Sequence, residues 1–159
     1  MVYSGGWDNT VITWDIRSGK PVQNVYGPHI YGDGIATCGM DILTASYRQN
    51  DQLQQWDCKN NGCQLNETLR WDEIKVSPVP CFLYTCQFSK KHKDMIAAGG
   101  RNANEVKLFD KNSNNDPFCA IYNLPREIGT IDFSYNDEML AISGADGYVR
   151  VFKITIKTG

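Results

Sequence analysis

The chain has 159 residues, with 16 Lys and Arg against 18 Asp and Glu, a formal net charge of −2, 42% hydrophobic residues and 21% charged ones. A chain of that length and apolar content can bury a core of its own, which argues against intrinsic disorder. A charge so near balance leaves no electrostatic footprint for DNA, RNA or anionic lipid, and no apolar run approaches the roughly 18 residues of a membrane-spanning helix.

In chain order the elements are short apolar runs set off by turns. Residues 1–16 supply two strands around the turn Gly5-Gly6-Trp7-Asp8-Asn9, the second being Thr10-Val11-Ile12-Thr13-Trp14-Asp15. Residues 34–38 and 42–45 follow, then a polar turn at 48–51 and the run 52–57, which ends on Trp56-Asp57. The next group is 82–88, a turn at 89–94, 95–98, the turn Gly99-Gly100-Arg101-Asn102-Ala103-Asn104, and a run ending on Phe109-Asp110. The last is 130–133, a turn at 134–138, 139–142, the turn Gly144-Ala145-Asp146-Gly147, and a run ending on Phe152-Lys153. Gly, Asn and Asp in these turns tolerate positive φ and close hairpins. No segment sustains a period near 3.6, so short strands with frequent turns predict an all-β protein.

The four aromatics Trp14, Trp56, Phe109 and Phe152 are spaced 42, 53 and 43 residues apart. Two intervals match the roughly 40–45 residues of a four-stranded propeller blade, and the middle one carries a loop insertion. With Trp14-Asp15, Trp56-Asp57, the degenerate Phe109-Asp110 and Phe152-Lys153, and the hairpin string 139–152, the chain resembles a WD-repeat (WD40) β-propeller. Gly27-Pro28-His29, 27 residues before Trp56, stands for the Gly-His dipeptide of that family. The resemblance implies blades at 21–58, 63–112 and 118–154 and a half blade at 1–16, about three and a half in all. Propellers usually close with four to eight blades, so an incomplete ring is expected, either a half propeller or the C-terminal part of a larger one. Its end faces would need covering by other proteins or by the missing half of its own propeller. Asp15, Asp57 and Asp110 are expected to accept backbone N–H bonds where the chain leaves the strand, and the aromatics to be packing residues.

The six cysteines, Cys38, Cys58, Cys63, Cys81, Cys86 and Cys119, are expected as reduced thiols of an intracellular protein, since residues 1–6 do not read as a signal peptide. The pairs Cys58/Cys63 and Cys81/Cys86 have a zinc-like spacing. The second pair reads as lying on a strand, where residues five apart point to opposite faces, and burial of the cysteines as small apolar side chains is expected instead, with no metal or cofactor invoked. Asn66-Glu67-Thr68 matches a glycosylation sequon that has no role without a secretory route.

No catalytic constellation emerges: the chain has two histidines, no Gly-x-Ser-x-Gly elbow and no phosphate loop, and Gly32-x-Gly34 reads as a turn. The expectation is a protein that is not an enzyme. Lys90-Lys91-His92-Lys93 reads as a solvated turn. Partner-binding candidates are Trp7, Tyr47, Arg48 and Arg101, which occupy corresponding turns, and Trp71 in the insertion, because aromatic and Arg side chains anchor interfaces. The resemblance implies a protein–protein interaction scaffold in a larger assembly, which the thiol argument places inside the cell, cytoskeletal or axonemal in kind, or else a general cytoplasmic or a nuclear complex. The alternative is a reader of peptides or modified tails through a central pocket.

Overall fold

Fourteen strands and one short 3-10 turn make up the regular structure of the described residues, 1–59, 62–112 and 114–155, in this computed structural model. The strands are β1 Val2–Gly5, β2 Thr10–Asp15, β3 Lys20–Tyr26, β4 Ile35–Cys38, β5 Asp41–Ala45, β6 Leu53–Asp57, β7 Gln64–Leu69, β8 Cys81–Phe88, β9 Met95–Asn102, β10 Val106–Asp110, β11 Pro117–Ile121, β12 Ile128–Phe133, β13 Met139–Gly144 and β14 Val149–Lys153. The turn residues place the reversals. Asn9, Asp51, Asn104 and Gly147 have φ of 60°, 50°, 48° and 78°, and all four lie in turns leading to a strand that carries a repeat aromatic. That left-handed conformation is open to Gly and least costly for Asn and Asp among the other residues.

The strands form four antiparallel meanders, β1-β2-β3, β4-β5-β6-β7, β8-β9-β10-β11 and β12-β13-β14. The all-β architecture expected from the sequence is therefore observed, and the four sheets do not close into a ring. The hydrogen-bonded units are offset by one strand from the segments 21–58, 63–112 and 118–154. β3 pairs with β2, β7 with β6 and β11 with β10, so the run after each of the first three aromatic strands belongs to the sheet before it. A repeat period fixes the length of a unit but not its phase; the short hairpin back onto the preceding strand decides the phase.

The two three-stranded sheets lack different strands. Trp14 on β2 donates its indole N–H to Ser4 Oγ on β1 at 2.8 Å, and Trp56 on β6 donates to Thr44 Oγ1 on β5 at 2.9 Å. β1 is thus the counterpart of β5, the second strand of its sheet, and the first sheet has no innermost strand. In the last sheet β12 packs against β8, the innermost strand of its neighbour, so the absent strand is the outermost.

Packing follows chain order. One apolar cluster (Val11, Val25, Ile30, Ile42, Trp56) lies between the first and second sheets, one (Leu43, Leu53, Leu83, Phe88, Ile96) between the second and third, and one (Val106, Leu108, Ile131, Phe133, Leu140) between the third and fourth. The middle strands β5, β6, β9 and β10 are accordingly buried on both faces over most of their length. β1 and β14, at the two ends of the stack, are largely exposed. Val149 and Val151 on β14 are 68% and 61% exposed, and Tyr26 on β3 is 73% exposed.

The repeat aromatics mark a local irregularity as well as a packing site. The pairing of third with fourth strand skips one residue before Trp14, Trp56 and Phe109, leaving Val22, Asn66 and Phe118 as extra residues on the outer strand. Such bulges raise the local twist, which suits sheets that fan. Asp15 Oδ1 accepts the Arg17 N–H at 3.0 Å, Asp57 Oδ1 that of Lys59 at 3.0 Å and Asp110 Oδ1 that of Asn112 at 2.8 Å, the expected turn bonds. Phe109 is buried, and Phe152 lies half-buried opposite Leu140.

Two cysteine expectations change. Cys58 and Cys63 form a disulfide joining the end of β6 to the start of β7, because the hairpin brings their Cα atoms to 4.0 Å. Proximity across a turn is not visible in a count of cysteines. Cys81 and Cys86 do not face opposite ways: both are buried in the same cluster. A bulge on β8 between Leu83 and Thr85 adds one residue and inverts the alternation beyond it, so positions five apart share a face. Burial pushes the Cys81 thiol up to about 12 and that of Cys86 up as well, so both are inert thiols.

Candidate functional site

The turns between second and third strands and the loops between consecutive sheets lie together at one rim, where the structure gathers aromatic rings from three sheets. Trp7, in the first hairpin turn, stacks on Tyr31 from the loop between β3 and β4, with centroids 5.1 Å apart and planes 13° from parallel. Tyr31 stacks on Tyr47 of the next turn at 4.8 Å, and Tyr47 meets Phe82 at the start of β8 at 5.2 Å. Tyr84 on β8 tilts against Tyr31 at 5.6 Å. The Arg101 guanidinium carbon lies 5.9 Å from the ring centres of both Tyr31 and Tyr84, and Arg101 Nη2 donates to Glu127 Oε1 at 2.9 Å. The hydrogen bond to Glu127 raises the Arg101 pKa further, so this cation is permanent.

Each ring is held there for a local reason. Alternation along β8 turns Phe82 away from the face occupied by Cys81 and Leu83, and Tyr84, the extra residue of the bulge, also points away from that face. Gly32 follows Tyr31 directly, and a Cβ at that position would overlap the Tyr84 ring, so only glycine lets the loop lie against it. Gly100 in turn has the Phe82 carbonyl where its Cβ would be. The result is a half-exposed array whose outermost member, Trp7, is 65% exposed.

The sequence candidates divide. Trp7, Tyr47 and Arg101 converge at this rim. Arg48 does not face outward: its Nη1 donates to the Gly27 carbonyl at 3.0 Å and its Nη2 to the Asp51 carbonyl and to Gln54 Oε1, both at 2.9 Å, so it ties its turn to its own sheet and to the loop after β3. Trp71 is 3% exposed and lies in the core, so it is not available to a partner. It belongs to the short 3-10 turn Trp71–Glu73, and its Nε1–H donates to Glu105 Oε1 at 2.8 Å. Lys107, 1% exposed, donates to the Trp71 carbonyl at 2.7 Å, lies 3.1 Å from Glu105 Oε1 and sits over the Trp71 ring at 4.6 Å. This buried set joins the loop before the third sheet to its hairpin turn. Among the described residues no group donates to Glu105 Oε2. His29 takes part in no bond with Trp56. Its Nδ1 is 2.8 Å from Asn9 Oδ1, and its backbone N–H donates to Ser46 Oγ at 3.3 Å.

Sequence reasoning missed Tyr31, Phe82, Tyr84 and Glu127. Tyr31 lies in an inter-sheet loop and Tyr84 on a strand that the alternation places inward, so only the local neighbour Gly32 hints at a close approach. It also missed Asp137, a buried residue whose carboxylate accepts three backbone N–H bonds from the Lys90–Lys93 turn, from Lys90 at 2.6 Å and from Lys91 and His92 at 2.9 Å each. Lys90 Nζ pairs with Asp132 at 2.8 Å. The basic turn therefore clasps the neighbouring sheet through its backbone.

Residues 121–153 match the family model described as WD domain, G-beta repeat. The matched stretch runs from the end of β11 through β12, β13 and β14. That stretch is similar to a WD40 repeat, and the four antiparallel sheets are consistent with an incomplete WD40-type propeller. No curated protein matches the chain. Domains of WD40 repeats are generally non-catalytic modules that bind other proteins, which points to a protein–protein interaction scaffold. No helix of the described residues is long and apolar enough to cross a membrane.

Proposed function

We propose that this protein is a non-enzymatic scaffold of a larger cytoplasmic assembly, cytoskeletal or axonemal in kind, and that the aromatic rim centred on Tyr31 is where it receives a partner. The observation that carries this reading is the convergence of Trp7, Tyr31, Tyr47, Tyr84 and Arg101 from separate sheets onto one half-exposed surface. These are the residue types that bury large area at low entropic cost. The open ends support a second contact of a different kind. A cavity of about 530 Å³ beside β14 is lined by Leu108, Phe118, Ile121, Leu140, Phe152 and Ile154, where the second and third sheets carry a fourth strand. Further blades, from the protein's own propeller or from another chain, would cover it. The cytoskeletal assignment rests on the WD-repeat resemblance, and the intracellular one on the four free thiols, of which Cys119 is exposed, with the Cys58–Cys63 disulfide counting against it.

The experiment is native-mass measurement of the assembly carrying this chain, in the wild type and in a Trp7→Ala, Tyr31→Ala variant. The expected result is a particle heavier than the chain alone, which sheds a component in the variant while the melting temperature stays nearly constant. A monomer that melts cooperatively and stays free of aggregation would refute the reading. A second reading, a peptide or modified-tail reader, is favoured by one feature: the cluster already holds a guanidinium against Tyr31 and Tyr84, the latter on an innermost strand.

A further inference from the structure

Trp7 has one indole face on Tyr31 and is otherwise the most open ring of the stack. Among the described residues no other ring and no cation of the chain sits on its second face. Its sequence neighbour Asp8 is exposed and in no salt bridge among the described residues, and the same is true of Asp33, two positions after Tyr31. Nearby cations are committed elsewhere: Arg48 to carbonyls and Gln54, Arg101 to Glu127, with Arg126 beside the same glutamate. The rim thus combines a bare indole face with an adjacent Asp8 carboxylate that has no counter-charge, while Asp33 accepts from Thr130 Oγ1 at 3.3 Å. One module of this type is already occupied by the chain itself, as Arg101 lies against two tyrosine rings and is hydrogen-bonded to Glu127.

We infer that the free face of Trp7 is a seat for an arginine side chain of the partner, stacked on the indole and paired with Asp8. This deepens, and rests on, the reading of the rim as a partner-binding surface. Trp is the strongest of the aromatic rings for a cation, and a guanidinium is flat and weakly hydrated, so it stacks where an ammonium stays in water. An acidic segment is repelled by Asp8. The seat is shallow, so affinity for a short peptide is weak and falls with salt.

The test uses the intact chain labelled with nitrogen-15, with the Trp7 indole N–H signal assigned by its loss in Trp7→Phe. Probes are the blocked peptide Gly-Arg-Gly-Arg-Gly, its citrulline counterpart, which keeps the shape without the charge, and its lysine counterpart. The expected result is a saturable shift of the Trp7 signal with the arginine peptide, about tenfold weaker binding of the citrulline peptide, and intermediate binding of lysine. Asp8→Asn weakens the arginine peptide several-fold and leaves the citrulline peptide unchanged. Equal binding of arginine and citrulline, binding that leaves Trp7 unmoved, or lysine as the tightest probe overturns the inference. If the arginine peptide fails while Trp7→Ala, Tyr31→Ala still disrupts the native assembly, the chemistry assigned to Trp7 falls and the rim remains the partner surface. If both fail, the rim reading falls with it.

Discussion

Replacing Asp137 tests whether the third and fourth sheets are held by a backbone clasp as much as by their apolar faces. The carboxylate is buried and accepts the N–H groups of Lys90, Lys91 and His92 at 2.6, 2.9 and 2.9 Å, from a turn on the neighbouring sheet. A hydrogen bond to a charged group contributes roughly 1.5–3 kcal/mol net. The three share one acceptor, and water can reach an exposed turn, so their sum overstates the loss. Asp137→Asn keeps one oxygen and tolerates the φ of 62°, so it is expected to cost about 2 kcal/mol. Asp137→Ala removes every acceptor and adds backbone strain, for a cost of about 4 kcal/mol. The assay is urea unfolding between pH 7 and pH 3. Burial pushes the Asp137 carboxyl up, but the three N–H bonds outweigh it and hold it below its usual 3.8. A carboxyl depressed in the folded state stabilises fully above the unfolded value and loses that contribution as pH falls through the folded one. The gap between wild type and Asp137→Asn should therefore be constant above about pH 5 and shrink below about pH 4. A gap under about 0.5 kcal/mol at pH 7, or one that does not shrink on acidification, would refute the clasp.

Lys107→Met leaves the Glu105 carboxylate buried without its cation and should cost about 3–5 kcal/mol in urea unfolding, whereas Glu105→Gln combined with Lys107→Met should cost less than the single change. Gly32→Ala drives a methyl group into the Tyr84 ring, so the near-ultraviolet circular dichroism of the stacked rings should weaken while the far-ultraviolet strand signal persists. Arg48→Ala removes bonds to Gly27, Asp51 and Gln54 and should lower stability by about 1–2 kcal/mol, while Arg101→Ala, an ion pair at the half-exposed rim, should change it by less than about 1 kcal/mol. In the native protein a thiol reagent should label the exposed Cys119 first and leave Cys81 and Cys86 unlabelled until the chain is unfolded.

Much of the site was legible because the turns repeat. Trp7, Tyr47 and Arg101 lie at or just after the end of the second strand of three successive units, so equal position in the repeat implied a shared rim, and they meet there. The same logic misassigned Arg48, since a side chain long enough to reach a partner is also long enough to reach back to Gly27. It misassigned Trp71 because a loop in the sequence is not a loop on the surface once a buried Lys107–Glu105 pair draws it in. The Cys81 and Cys86 pair failed on alternation: a period of two holds only until one extra residue enters the strand.

The order of short runs, the Gly, Asn and Asp of the turns and the spacing of Trp14, Trp56, Phe109 and Phe152 are properties of neighbouring residues, and they determined that the chain folds as successive antiparallel meanders. Which run closes each sheet, which thiols bond, and how Tyr31, Tyr84 and Arg101 come to share one surface depend on contacts between residues tens of positions apart. Those contacts exist only after the sheets have packed, because burial and hydrogen-bond satisfaction act on distance in space, to which spacing along the chain is blind.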